Sequence, residues 1–220
     1  MPGASLGIGS PAWRAGRASA SIGALLDGDA SADDVLDGLA DVGEPPQGWW
    51  EVLGSVRSAG AVALLLPRPG DPRGLALPRG IVAEAAVGWP VGPETHWLIP
   101  DAECGWSRVE ARPLTAVPSH PEESLRELRR AVVEAAHTVD ALELESRAGD
   151  PNARREQEAV VDSWVLGPPP LPAATRHLAA LGLRMLLALE GARALVDTDS
   201  LEHAARSAVE SAFSRNASSG

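Results

Sequence analysis

Lysine and tyrosine are missing from this chain of 220 residues, and all 19 basic residues are arginine. Without lysine there is no Schiff-base lysine, no pyridoxal-phosphate site of the usual kind and no P-loop lysine. Without tyrosine no phenol can serve as an acid or a nucleophile. Cysteine occurs once, as Cys104, so an internal disulfide is impossible and a reducing compartment is expected. Long apolar runs are scarce too. The stretch LAALGLRMLLAL (178–189) carries Arg184, and a membrane span needs roughly 20 apolar residues. The N-terminus has no secretory apolar segment of proper length. These absences predict a soluble, cytoplasmic protein with no membrane partner.

Positive charge is also short, with a formal net charge of −11. The deficit is uneven: residues 119–169 hold six arginines against eleven acidic residues. Phosphate contacts supply much of nucleic-acid affinity, so an acidic body argues against a nucleic-acid partner.

What is present predicts an α+β fold, with a small, mainly antiparallel sheet in the middle of the chain packed with helices and an all-helical C-terminal half. Residues 1–30, rich in Gly, Ser and Ala, read as a disordered arm. Residues 31–118 form a mixed lobe and 119–214 a helical lobe, possible as one continuous domain with it, before a disordered tail at 215–220.

Within the mixed lobe, Ser31 followed by Asp33 and Asp34 opens a helix over 31–43. A second helix covers 49–60 and ends at Gly60. AVALLLP (61–67), ETHWLIP (94–100) and GWSRVEARP (105–113) read as strands, whereas IVAEAAVGW (81–89) fits either a strand or a helix. In the third strand Trp106 falls among the polar residues of the alternation. The seven tryptophans, against one phenylalanine, either floor a ligand pocket or form the core, and the core reading is preferred.

The helical lobe opens with a Ser119/Glu122 capping box. Leu125, Leu128, Val132, Ala135, Val139 and Leu142 then follow with heptad-like spacing. Their expected partner is Leu178, Leu181, Met185 and Leu195 of a long helix over 173–195. A short helix to about Leu166 and the stop GPPPLP (167–172) connect the two. Asp199 and Glu202 read as a capping box for a last helix that turns Leu201, Ala205, Ala208 and Phe213 inward.

Three constellations could carry function. In LLLPRPGDPRGLALPRG (64–80), Arg68, Arg73 and Arg79 could clamp a small anion beside glycine N–H groups; otherwise the loop is a stiff turn. His96 and Cys104 could pair across the 94–112 hairpin, with Asp101 orienting the imidazole, as in a thiol enzyme. On the 121–147 helix, Glu127, Arg130 and Glu134 form a charged flank that could meet a partner protein or a second copy. The five histidines (96, 120, 137, 177, 203) lack metal-ligand spacing, so no metal is expected. G-x-G-x-x-G and G-K-[ST] patterns are absent, and no cofactor is expected.

The lysine-free, Arg/Ala/Gly-rich text, with LLLPRPGDPRGL ahead of a helical half, resembles uncharacterised proteins of high-GC actinobacteria. That resemblance implies no residue role. The leading expectation is a non-catalytic cytoplasmic protein acting through contacts of its acidic helical surface. The alternatives are an anion- or nucleotide-like ligand module at residues 67–80, and an enzyme using Cys104 and His96.

Overall fold

The structure is a computed structural model that describes residues 6–68, 70–75, 77, 82–111, 120–141, 151–192 and 198–215. It begins with a correction to the expected arm: helix α1 (Pro11–Asp27) is buried along most of its length. Its cap signals are all in place. The Ser10 hydroxyl accepts from the Trp13 N–H at 3.1 Å, Pro11 takes the first turn, and Gly28 ends the helix with a φ of 76°. Residue size explains the burial. Ala12, Ala15, Gly16, Ala18 and Ser19 let neighbouring elements come close, and a Cβ on Gly16 would clash with the Trp164 ring. A composition that suggests disorder is here that of a helix too crowded for large side chains.

Two arginines of α1 are nearly inaccessible and spend their N–H groups on loop carbonyls. Arg14 donates to the carbonyls of Val42, Asp101 and Gly105 at 2.9, 2.8 and 2.6 Å, with its guanidinium 5.2 Å from the Trp106 ring centre. Arg17 donates to the carbonyls of Trp164, Pro168 and Pro169. Burial pushes its pKa down to about 10.

Helix α2 (Ala32–Leu39) carries the Ser31 cap, reciprocated by Asp34, and runs into a 3-10 turn at Ala40–Val42. Helix α3 (Trp49–Ala59) stops at Gly60 in the left-handed region. Strands β1 (Ala63–Leu65), β2 (Ala86–Val91), β3 (Glu94–Pro100) and β4 (Trp106–Ala111) then form an antiparallel sheet in sequential order. The ambiguous 81–89 stretch is therefore a strand from Ala86 onward.

Both faces of this sheet are covered. Leu64, Val87, Trp89, Leu98 and Trp106 join the core shared with the helices. Leu65, Ala86, Trp97, Ile99 and Val109 form a second cluster, with Leu75 from the β1–β2 connection buried in it and Leu77 and Ala83 packed against it. Trp106 shares a face with Arg108 and Glu110 but lies deeper, its ring edge-on to Trp49 and its indole N–H donating to Val42 O at 2.9 Å. Trp49, Trp89, Trp97, Trp106 and Trp164 are buried, whereas Trp50 is exposed.

Helices α4 (Pro121–Ala141), α5 (Pro151–Val165), α6 (Ala173–Ala192) and α7 (Asp199–Phe213) complete the α+β fold. Leu128 is fully buried, and Leu125, Val132 and Ala135 are partly so. The Val139 side chain, Leu142, Leu195, Ser119 and Arg79 lie outside the described residues. Helix α4 packs chiefly on α7, and only secondarily on the expected α6. Helix α7 is the reason: it is buried on nearly every side, with α6, α4, α1 and β1 around it. No described helix is long and apolar enough to cross a membrane.

The α1 contact yields a stability prediction. Gly16→Ala adds a methyl where Trp164 leaves no room, so unfolding in urea should show a loss of about 1–3 kcal/mol, as for overpacked cores. An unchanged midpoint would mean that Trp164 shifts aside without cost.

Candidate functional site

Strand β1 is an edge strand, and the N–H groups of Val62, Leu64 and Leu66 point away from β2. Among the described residues no fifth strand receives them. Instead the C-terminal end of α7 does. Val62 N–H donates to Arg215 O at 2.9 Å, Leu64 N–H to Ser214 Oγ at 3.0 Å, and Leu66 N–H to Glu210 Oε1 at 2.7 Å. Arg206 returns a bond to Leu66 O at 2.8 Å. Glu202, Arg206 and Glu210, spaced four residues apart, line one face of α7 and are all buried. The expectation for this helix assigns only apolar residues to the interior. Its missed signal is the Glu–Arg–Glu repeat at helical spacing.

That polar face also captures the arginine loop. Arg68 bonds Asp199 at 3.0 Å and Glu202 at 3.1 Å. Arg73 bonds Glu210 through both Nε and Nη2, bonds Ser207 Oγ at 2.7 Å, and places Nη1 3.0 Å from the His203 ring nitrogens. Asp71 closes the set by meeting His203 Nδ1 at 3.1 Å and accepting the Arg73 N–H at 3.2 Å. The anion-clamp expectation is thereby corrected for Arg68 and Arg73: both meet fixed carboxylates of the chain itself. The Asp199/Glu202 capping box is corrected for the same reason. Thr198 is the N-cap, without a side-chain bond, and Arg68 takes both carboxylates.

Burial, which disfavours charge, pushes the Glu210 carboxyl above its ordinary range, against the pull of Arg73 and the Leu66 N–H. Burial acts in the same sense on Asp71, but there the His203 and Arg73 bonds prevail and hold its pKa low.

Above this network lies an open groove of about 400 Å³ between α4 and α7. Glu127, Arg130, Ala131 and Glu134 line it from α4, Asp199, Ser200, His203 and Ala204 from α7, and Arg68 completes the lining. The structure therefore unites two expected constellations, the charged flank of α4 and Arg68 of the loop. Arg130 and Glu134 are 4.0 Å apart and largely exposed. A second hollow of about 380 Å³ continues along α4, lined by Glu123, Arg126, Glu127 and Arg130.

The thiol-enzyme constellation is not assembled. Register pairs His96 with Glu110 and Pro100 with Trp106, so His96 lies four residues down the hairpin from the turn that holds Cys104. At about 3.3 Å per residue that separation exceeds hydrogen-bond reach several-fold. Cys104 is exposed, with a φ of 66°. Asp101 does not orient an imidazole: its Oδ1 accepts the N–H groups of Glu103 and Gly105, both at 2.8 Å. His96 instead receives an Arg108 N–H at Nδ1, 3.0 Å away, and faces Glu110 at 3.8 Å. Glu94, His96 and Glu110 can bring ligand atoms within 4.8 Å of one another. A cation already serves that group, since Arg108 also meets Glu110 at 3.4 Å.

The fold and this surface define an α+β protein whose charged groove is framed by two helices, with no assembled nucleophile–base pair among the described candidates. The chain belongs to the family described as "Rv1486c-like protein, N-terminal domain", whose model matches residues 12–123, about half of its length. That match starts inside α1 and ends in the first turn of α4. No curated protein and no solved structure matches the chain.

Two predictions follow from the network on α7. Glu210→Ala leaves the half-buried Arg73 guanidinium without its bidentate carboxylate and the buried Leu66 N–H without an acceptor, so urea unfolding should show a loss of about 1–3 kcal/mol. Glu210→Gln keeps an acceptor and should lose less; equal losses would mean that the charge contributes nothing. For Asp71 the depressed pKa sets the sign. Its contribution is complete above the unfolded-chain value of about 3.9 and is lost as pH falls through its lower folded value. Asp71→Asn should flatten the decline of melting temperature below about pH 4. A wild-type decline that is unchanged in the variant would remove Asp71 from the acid response.

Proposed function

We propose that this protein is a non-catalytic, cytoplasmic binding protein that acts through protein–protein contacts of the charged α4–α7 face. We also propose that its lysine-free composition reflects a GC-rich actinobacterial genome. One observation carries the functional reading. Glu127, Arg130 and Glu134, exposed or half-buried on α4, share a groove with Arg68, Asp199 and His203. The buried network beneath holds that groove on rigid helices, and a rigid, charged concavity favours a specific partner and orientation. The separation of His96 from Cys104 supports the reading by removing the principal catalytic candidate.

The test is charge reversal on α4. Glu127→Arg, Arg130→Glu and Glu134→Arg together should change stability by no more than about 1.5 kcal/mol, at roughly 0.5 kcal/mol for each surface substitution. The same variant should lose the proteins that copurify with the wild type from its native cytoplasm. An identical copurifying set, with unchanged melting temperature, would make this face plain scaffold.

A further inference from the structure

We propose that the outer edge of β4 pairs antiparallel with β4 of a second copy of this chain, joining the two sheets about a twofold axis at Val109. This surface is separate from the α4–α7 face and does not depend on its role. In the order β1-β2-β3-β4, the edges are β1 and β4. Helix α7 closes the edge of β1, whereas no described element closes that of β4. The direction of the β4 backbone groups follows from register. Asp101 N–H donates to Gly105 O at 3.1 Å, and the ladder continues through Ile99–Ser107, Trp97–Val109 and Thr95–Ala111. Bonded and non-bonded pairs alternate in an antiparallel ladder. Ser107, Val109 and Ala111 therefore bond inward to β3, and the N–H and C=O groups of Arg108 and Glu110 point away from it. Among the described residues nothing meets those outward groups.

A bare edge is a template for another strand, and here charge selects which strand. Arg108 and Glu110 are exposed and share one face of β4. A twofold axis that sets one residue opposite another also sets the second opposite the first. With Val109 on the axis, Arg108 lies opposite Glu110 of the second copy and Glu110 opposite its Arg108. Each is a pair that exchanges both main-chain bonds, with Cα atoms about 5.5 Å apart. Sliding the strands by two residues either way sets Arg108 on Arg108 or Glu110 on Glu110, and like charges directly opposite are unfavourable. The edge thus admits one register of self-pairing. Contacts within the chain leave these groups able to turn: Arg108 reaches Glu110 at 3.4 Å and Glu51 at 3.5 Å, and its closest partner is His96 Nδ1 at 3.0 Å. On the other face, Val109 is the most exposed of the buried members of the outer apolar cluster, at 8 %. On the axis it meets Val109 of the second copy in a non-bonded pair, with Cα atoms about 4.5 Å apart, so the cluster continues across the dimer.

The experiment measures self-association of the full-length protein by sedimentation equilibrium. The wild type should dimerise. Arg108→Glu and Glu110→Arg, taken singly, each set like charges opposite one another and should weaken dimerisation about tenfold or more. Mixed together, the two variants present acid to base again at both positions and should dimerise with each other as the wild type does with itself. Melting temperatures show whether each variant is folded. Where one is not, a cross-link decides. Val109→Cys in a Cys104→Ser background should form a disulfide-linked dimer on mild oxidation, since the axis brings the two Cα atoms within disulfide range. Ser107→Cys in the same background should not, because the axis sets the two copies of that residue apart along the strands. A wild type that stays monomeric up to about 1 mM, the weak end of specific association, would overturn the proposal. So would a dimer that neither charge variant weakens, folded variants that do not recover on mixing, or cross-linking that does not favour Val109→Cys.

Discussion

A buried carboxyl group organises the centre of this molecule. Glu210 is fully enclosed, and its two oxygens take the Leu66 N–H, which no strand receives, and the guanidinium of Arg73, which the following loop brings back. One side chain thus joins a sheet edge, a loop and a helix. The low-dielectric surroundings strengthen each of these bonds and make an unpaired member costly, so the three elements hold one another in place. Because the loop is held there, Leu75 can lie over the outer face of the sheet and bury Trp97, Ile99 and Val109.

The same economy appears in α1. A helix made mostly of small residues leaves little apolar bulk to bury, and it binds its surroundings by donors instead. Arg14 gathers the 3-10 turn and the β3–β4 turn, while Arg17 gathers the end of α5 and the prolines after it. A carbonyl oxygen has two lone pairs, so those in turns and at helix ends keep accepting capacity, and a guanidinium can serve several from one position. Polar contacts of this kind fix loop positions that apolar packing leaves loose. The loop side of the groove on α4 and α7 is fixed in the same way, since Arg68 lines it and is tied to Asp199 and Glu202 of α7.

Much of the architecture was legible in local patterns. Ser31 with the two following aspartates marks a helix start, Gly60 a helix end, and the apolar run after it a strand buried on both faces. These are signals with a local mechanism, and the elements stand where the mechanism puts them. The failures share a cause in tertiary context. Residues 11–27 carry Ser10, Pro11 and Gly28 as caps, but their Gly, Ala and Ser content suggests disorder unless one knows that Trp164 needs room. Arg68 and Arg73 resemble an anion clamp because the carboxylates that take them are about 130 residues away in sequence. Trp106 breaks the alternation of its strand because the face it shares with Arg108 and Glu110 is covered at one end and open at the other. The α4 flank was visible from helical spacing alone, whereas its groove with α7 was not, because α6 offered the more apolar stripe as a partner.

The closure of β1 by α7 also dictates an order of events. Val62 meets Arg215 and Leu64 meets Ser214 across some 150 residues, so the sheet acquires its last hydrogen bonds only after residues as far as 215 have been synthesised. Such long-range pairings are slow to form, because a large loop must close before any contact rewards it. Until then a nascent β1 presents a bare row of donors and acceptors beside the apolar run Ala63–Leu66, the kind of edge that templates pairing between chains. The residues that would recruit a second molecule in the unfinished protein are those that α7 occupies in the finished one. A defect in α7 would therefore be felt first as aggregation during synthesis, before any loss in the mature fold could be measured.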